Sequence, residues 1–324
     1  MDRARIFADD WFVKNGDQSS TLSCGARAAI LQEVGHTATK IGGTSAQQRR
    51  NEELAFIKTA LIKRGKAVIT GPAAARVLGL STLHWVTRVD LLYTSKCHAK
   101  AKIIHPSQVV IHNATLGEDD FITENGIRRV SVIRAPFDSY RFYGRLEALV
   151  QIESARWTWP ELTVAALLDR CETLPRAKGI RGFRELIQHS ADTSLSPLET
   201  IVRDTLIHAI DHGALTGVAR LEFQVGFRIE DPQGLTTTAW ADALINGHIV
   251  LEADGAEKTH GGYGDPVEAL NRERHREKEL QNRGAVFYRV GWAAAQEAQF
   301  IPHLQRLIQA HPGVKQLPGR IETT

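Results

Sequence analysis

Hydrophobic positions along the chain change period several times, and each change predicts an element. Leu54, Ile57, Leu61 and Ile62 recur at helical spacing and predict a helix over residues 51–64. Residues 67–70 read as a short strand ended by Gly71-Pro72, and Pro72 opens a helix that runs to Leu78. Strands are expected over 89–93, 102–105, 109–112 and 127–133. A helix over 142–155 follows, with Leu146, Leu149, Val150 and Ile152 as its apolar partners. This stretch reads as a small α+β unit without an acid/base constellation. Trp159-Pro160 marks a break, and two helices, 161–171 and 177–189, flank Thr173-Leu174-Pro175. The Ser-, Asp- and Thr-rich segment 189–195 is the expected domain boundary. Residues 1–50 are the least readable; only 26–34 suggests a short helix.

The second half is patterned more sharply. Ser196-Pro197-Leu198-Glu199 has the form of a capping box, with Ser196 at the N-cap, Pro197 at the first helical position and Glu199 at the third. Leu198, Ile201, Val202, Leu206 and Ala209 then give the helix one apolar face for a sheet. A strand is expected over 220–229. Two more, joined at Asn246-Gly247, carry Trp240-Ala241-Asp242-Ala243-Leu244 and Ile249-Val250-Leu251-Glu252-Ala253-Asp254-Gly255. A two-residue turn would mix apolar and acidic side chains on both faces. A three-residue loop pairs Ile245 with Ile249 and Leu244 with Val250, sets Asp242 opposite Glu252 and Trp240 opposite Asp254 so that one face carries all three carboxylates, and segregates Ala241, Ala243, Ile245, Ile249, Leu251 and Ala253 on the other face. Because a one-residue slip flips every side chain, the segregated register is expected. A helix over 266–283 and a strand over 285–290 complete the pattern.

The bulk composition changes this picture little. The chain has 324 residues, enough for two domains with their own cores. It is 43% hydrophobic and 24% charged, ordinary for a soluble protein. A net charge of +3 permits nucleic-acid binding without arguing for it. Cys24, Cys97 and Cys171 stand singly, with neither a disulfide framework nor zinc spacing, so a reducing cytoplasm is expected. No run of about 18 apolar residues is present, and no membrane span is expected.

The candidate chemistry lies in the hairpin. Strand interiors disfavour acids, and several like charges buried together need a cation. Asp242 and Glu252, with the Ala253 carbonyl, suggest an oxygen-ligand site for magnesium or manganese, the chemistry of enzymes that cut phosphodiesters. Asp254 could widen such a site or simply end a strand in an Asp-Gly turn. The bland alternative for all three is a half-exposed hairpin with solvated acids. Glu199 could serve the cap alone. Gln224, polar among apolar neighbours, could meet a phosphate or water, or cap a ladder. Arg272, Arg274, Arg276, Lys278 and Arg283 make the late helix basic, but Glu273, Glu277 and Glu279 interleave with them as on a solvated, salt-bridged face. No Walker-type loop, Gly-x-Ser-x-Gly elbow or His-Glu-x-x-His helix occurs.

The order helix, strand, strand, strand, helix, strand from Glu199 onward, with Glu199, Asp242 and Glu252 in place, resembles the core of the PD-(D/E)xK restriction-endonuclease-like superfamily. Residues 196–292 look most like the small domain related to very-short-patch-repair endonucleases. The matching residues are Ser196-Pro197-Leu198-Glu199, Gln224, Asp242, Glu252-Ala253-Asp254-Gly255, Lys258, Glu273, Arg276-Glu277, Leu280, Gly284 and Arg289 to Trp292. The superfamily places Lys two residues after the second acid, where this chain has Asp254; the closer subfamily carries an acid followed by Gly there, as here. The missing positive charge would then come from Lys258 or His260, each of which could instead be an ordinary solvated loop residue. The resemblance implies that Glu199 reaches the metal through water and that Arg276 faces a phosphate. Residues from about 52 to 190 resemble the part that precedes this domain in many actinobacterial proteins described as AbiE-type antitoxins or regulators. That resemblance rests on 67–75, on Leu78-Gly79-Leu80 and on the strand at 89–93.

These readings give an α/β chain. Residues 1–50 form an unreadable segment, 51–155 a small α+β antitoxin- or regulator-like domain, and 156–195 a helical linker. A restriction-endonuclease-like mixed sheet flanked by helices is expected over 196–312, with a tail at 313–324. The expected function is a magnesium-dependent DNA endonuclease in defence or repair, cytoplasmic, with DNA as partner and a homodimer possible. The alternative is an antitoxin-like regulator that binds nucleic acid through an idle nuclease-like domain. A third reading, a protein-interaction module, would be favoured by a large exposed apolar patch in residues 52–150.

Overall fold

The computed structural model describes residues 45–61, 64, 66–93, 108–114, 116, 120–124, 126–254 and 266–321. Contacts divide the chain into two compact units, Met1–Asp192 and Thr193–Thr324, within the Ser-, Asp- and Thr-rich segment. Both are mixed α/β, each with a mixed sheet and helices. Among the described residues, no helix is long and apolar enough to cross a membrane.

Among the described residues, the first unit contains α1 (Ser45–Leu61), β1 (Ala67–Thr70), α2 (Gly71–Val77), β2 (Val89–Tyr93), β3 (Val109–Asn113), β4 (Phe121–Glu124) and β5 (Ile127–Val130). The strands lie in the order β3-β2-β1-β5-β4; β1 is antiparallel to β2 and parallel to β5. The all-apolar start of β1 is buried because the strand is central: Val68 and Ile69 pack with Ile57, Val89 and Leu91. Strand β4 escapes a reading by alternation because its residues are half-buried or exposed.

The helix expected over 142–155 is present as α4 (Arg145–Thr158), and a helix not anticipated from the sequence, α3 (Arg134–Tyr143), precedes it. Gly144 separates them at φ +99°, a backbone conformation that a side chain would strain. Two more helices, α5 (Val164–Cys171) and α6 (Ile180–His189), share a core with α3 and α4 through Phe137, Leu149, Ile152, Leu167, Phe183 and Ile187. Residues expected to form a linker are therefore part of the first unit, held by apolar burial along α5 and α6. The helix expected at 26–34 and the strand at 102–105 lie outside the described residues.

The second unit runs α7 (Pro197–Asp211), β6 (Leu221–Glu230), β7 (Thr236–Ile245), β8 (Ile249–Ala253), α8 (Pro266–Asn282), β9 (Val286–Val290), α9 (Trp292–Gln296) and α10 (Phe300–Ala310). Strands β6, β7 and β8 form an antiparallel meander, and β9 lies parallel to β8. The β7–β8 register is the segregated one, Ile245 opposite Ile249 and Leu244 opposite Val250. Asn246 and Gly247 hold the left-handed positions of the loop, at φ +51° and +73°. Leu280 of α8 packs with Leu244 and Val250.

Residues 313–321, expected to be a tail, are built into this unit. Lys315 N–H donates to the Asn246 carbonyl at 2.9 Å, Arg228 N–H to Gly319 at 2.7 Å and Ile321 N–H to Gly226 at 2.9 Å. Phe227 and Arg320 form a β-bridge, so the segment covers the outer edge of β6 at residues 226–228.

Candidate functional site

The ladder between β7 and β8 is paired as far as Ala243 and Leu251, and the next pair of positions is Asp242 and Glu252. There Asp242 bonds the neighbouring strand with its side chain: Oδ2 accepts the Ala253 N–H at 2.8 Å. On the other side of β7, Gln224 falls between the pairs Phe223–Ala243 and Val225–Ala241, and so faces Asp242. Its backbone is left-handed, φ +51°, inside an otherwise extended strand. A non-glycine residue is held there at a cost of order 1 kcal/mol.

Glu199 connects this point to α7. Its backbone N–H donates to Ser196 Oγ at 3.2 Å, closing the cap. Its carboxylate accepts from Ser196 Oγ (2.9 Å), from Leu195 N–H (2.9 Å) and from Gln224 Nε2 (3.1 Å). One carboxylate, only 7% exposed, thus both closes the cap of α7 and meets Gln224 of β6. Glu199, Gln224 and Asp242, with Thr193, Ser194 and Arg203, line a cavity of about 10 Å³, close to the room one water needs.

Glu252 and Asp254 line a different and larger cleft of about 400 Å³, together with Thr237, Thr238, Arg272, Glu273, His275, Arg276 and Arg289. Ala253 borders both spaces. Arg276 of α8 donates from Nη2 to Glu252 Oε2 at 3.2 Å and from Nη1 to the Trp240 carbonyl at 3.1 Å. Arg289 of β9 is shared by three carboxylates, Asp254 at 2.9 Å, Glu273 at 3.0 Å and Glu277 at 2.9 Å. Burial opposes the charged guanidinium of Arg289, but its bonds to Glu277, Asp254 and Glu273 outweigh burial and raise its pKa above the ordinary arginine value.

The three acids expected on one face do not converge as a trio. Among the described residues, no three His, Cys, Asp or Glu side chains gather where a metal ion could sit. The reason is local charge: α8 and β9 bring a guanidinium to Glu252 and another to Asp254, while Asp242 turns to the Ala253 amide. What remains is an all-oxygen set of two carboxylates on facing positions plus the Ala253 carbonyl. That set suits magnesium, which is usually bound through one or two carboxylates and completed by water and substrate phosphate. Lys258 and His260 lie outside the described residues. Arg276 does line the cleft, whereas Gln224 is committed to Glu199. Arg203 and Arg289 had no role assigned from the sequence. A guanidinium on α7 or β9 reveals its partners only once the sheet order is fixed.

An acid/base constellation is also present in the first unit, where the sequence suggested none. Asp90, fully buried, accepts from the Tyr143 hydroxyl and from His112 Nε2 at 2.7 Å, with Arg88 at 3.9 Å. Asp138, also fully buried, accepts from Thr70 Oγ1 (2.6 Å), Arg134 Nε (2.8 Å) and Arg141 Nη1 (3.3 Å). Thr70 and Asp90 are register partners, so the two groups adjoin. Residues between 70 and 143 had to be brought together by the sheet and α3 before this cluster could be seen. Each carboxylate is surrounded by donors, as a buried charge must be.

No protein-family model matches the chain, and no curated protein or solved structure does.

Proposed function

We propose that the second unit is a metal-dependent endonuclease that hydrolyses DNA phosphodiester bonds, built on a restriction-endonuclease-like core akin to that of very-short-patch-repair enzymes. In this reading the first unit is an AbiE-type antitoxin- or regulator-like domain, and the protein works on DNA in the cytoplasm. One observation carries the reading. Asp242 and Glu252 occupy facing positions on adjacent strands, and Gln224, on the strand beyond, is tied to a helix-cap carboxylate. Four polar groups from three strands and one helix thus concentrate at one point of the sheet, beside the buried Ala241, Ala243 and Leu251, an arrangement costly to keep for stability alone.

Asp242, Glu252 and the Ala253 carbonyl would hold magnesium or manganese, which when bound polarises a phosphate and activates water. Glu199, fixed by Ser196 and Leu195, holds the Gln224 amide. Arg276 and Arg272 line the open cleft beside Glu252, where a phosphate backbone can lie.

A second reading rests on the arginines. Glu252 and Asp254 already have guanidinium partners, which suits a regulator that binds nucleic acid through an idle nuclease-like domain. Cleavage of supercoiled plasmid with magnesium or manganese separates the two. Cutting by the wild type that Asp242→Ala and Glu252→Ala both abolish supports the nuclease. Binding without cutting moves the regulator ahead, and cutting that survives both substitutions removes the assigned site.

A further inference from the structure

Glu252 must have a cation. Its side chain is 7% exposed, and a buried carboxylate without a positive partner is strongly destabilising. In the structure Arg276 is such a partner, and the pairing has a particular form. Two acids of α8, Glu273 and Glu277, are committed to Arg289 together with Asp254. Arg276 shows a single carboxylate partner, and its second nitrogen is on a neutral carbonyl. Arg276 also keeps 26% of its side chain exposed and lines the 400 Å³ cleft.

We infer that Arg276 is the resting counter-ion of Glu252, and that a nucleic-acid phosphate entering the cleft takes the guanidinium over and opens Glu252 to a divalent ion. This inference rests on the nuclease reading. The charges balance in both states. At rest, Arg276 offsets Glu252 and Asp242 is held by an amide N–H. In the loaded state two carboxylates meet one divalent cation, and Arg276 meets one phosphate charge. A guanidinium suits the exchange because its planar fork binds carboxylate and phosphate alike. Metal and DNA are thereby coupled, and coupling is reciprocal: the factor by which DNA tightens the metal equals the factor by which the metal tightens DNA. Arg276 acts here as a positioning residue that keeps the acid site closed to metal until a phosphate arrives.

The test is manganese binding to the full chain, followed by calorimetry and by the electron paramagnetic resonance signal of free Mn²⁺. It is made with and without a 20-base-pair DNA duplex whose integrity is checked afterwards. Without DNA, Arg276→Gln should bind Mn²⁺ about tenfold more tightly than the wild type, within the usual range of coupling between sites. Arg276→Lys, which keeps the charge, should stay near the wild type. DNA should tighten Mn²⁺ binding to the wild type and have much less effect on Arg276→Gln. Thermal melting gives a second readout: Arg276→Gln should melt below the wild type without metal and recover when Mn²⁺ is added. If Glu252→Gln abolishes Mn²⁺ binding while Arg276→Gln leaves it unchanged or weaker, the exchange is wrong and the metal site stands. If Mn²⁺ binding is absent from every form, or survives Glu252→Gln, the metal site itself is wrong and the exchange falls with it.

Discussion

Gln224 donates to Glu199 across 3.1 Å from a left-handed backbone, so a side-chain contact and a strained residue occupy the same point of β6. The two effects oppose each other in stability and can be separated by substitution. Gln224→Ala keeps the positive φ and loses the amide, and should cost about 1 kcal/mol. Gln224→Gly loses the same amide but relieves a strain of similar size, and should unfold close to the wild type. Urea denaturation of the three proteins gives the order. A glycine variant no more stable than the alanine variant would show that the backbone is not strained there.

Ser196 fixes the carboxylate that Gln224 meets. Ser196→Ala removes the acceptor for Glu199 N–H and the donor to Glu199 Oε1, and should destabilise the second unit by about 1 kcal/mol, as a lost helix cap does. Plasmid cleavage should fall as well, because Glu199 then retains fewer fixed contacts. Unchanged cleavage in the destabilised variant would confine Glu199 to capping.

Asp242 separates chemistry from stability. Asn at 242 still presents an oxygen to the buried Ala253 N–H, so Asp242→Asn should melt close to the wild type, lose cleavage, and bind a DNA duplex at least as tightly in fluorescence anisotropy. Asp242→Ala orphans that N–H and should cost roughly 1–3 kcal/mol. Retained cleavage in Asp242→Asn would remove this residue from the reaction.

In the first unit, burial and then the adjacent Asp90 charge push the Tyr143 hydroxyl above its ordinary value near 10, overcoming the opposing effect of Arg88. A folded-state pKa above the unfolded one contributes stability that is present below the unfolded value and lost as pH rises toward the folded one. Folding stability should therefore decline above about pH 10. Tyr143→Phe should be less stable at neutral pH and show a shallower alkaline decline, measured by denaturation across pH 8–11.

Periodic segments of the chain were legible and tertiary chemistry was not. The β7–β8 register could be read because Ala241, Ala243, Ile249 and Leu251 leave one arrangement that segregates apolar from acidic side chains. The capping box could be read because its geometry is confined to four residues. Arg276 was legible as a basic residue of the late helix and, through the resemblance, as one that faces a phosphate; its contact with Glu252 spans 24 positions and could not be read from the sequence. The left-handed backbone of Gln224 left no trace, since glutamine rarely adopts it. Helices α3, α9 and α10 went unanticipated, α3 because Gly144 ends it just where the periodic pattern of α4 begins.

The segment from Lys315 to Ile321 has a consequence for self-association. An open outer strand can recruit a strand from another molecule. In the second unit the outer edge of β6 is already bonded by the chain's own Lys315-to-Ile321 segment, through Arg228, Gly226 and the Phe227–Arg320 bridge. Gly247 enforces the fit, since a side chain there would collide with the Lys315 carbonyl. A second copy cannot lengthen the sheet on that side without first peeling this segment away, so any pairing of two cutting sites across a duplex has to use another surface.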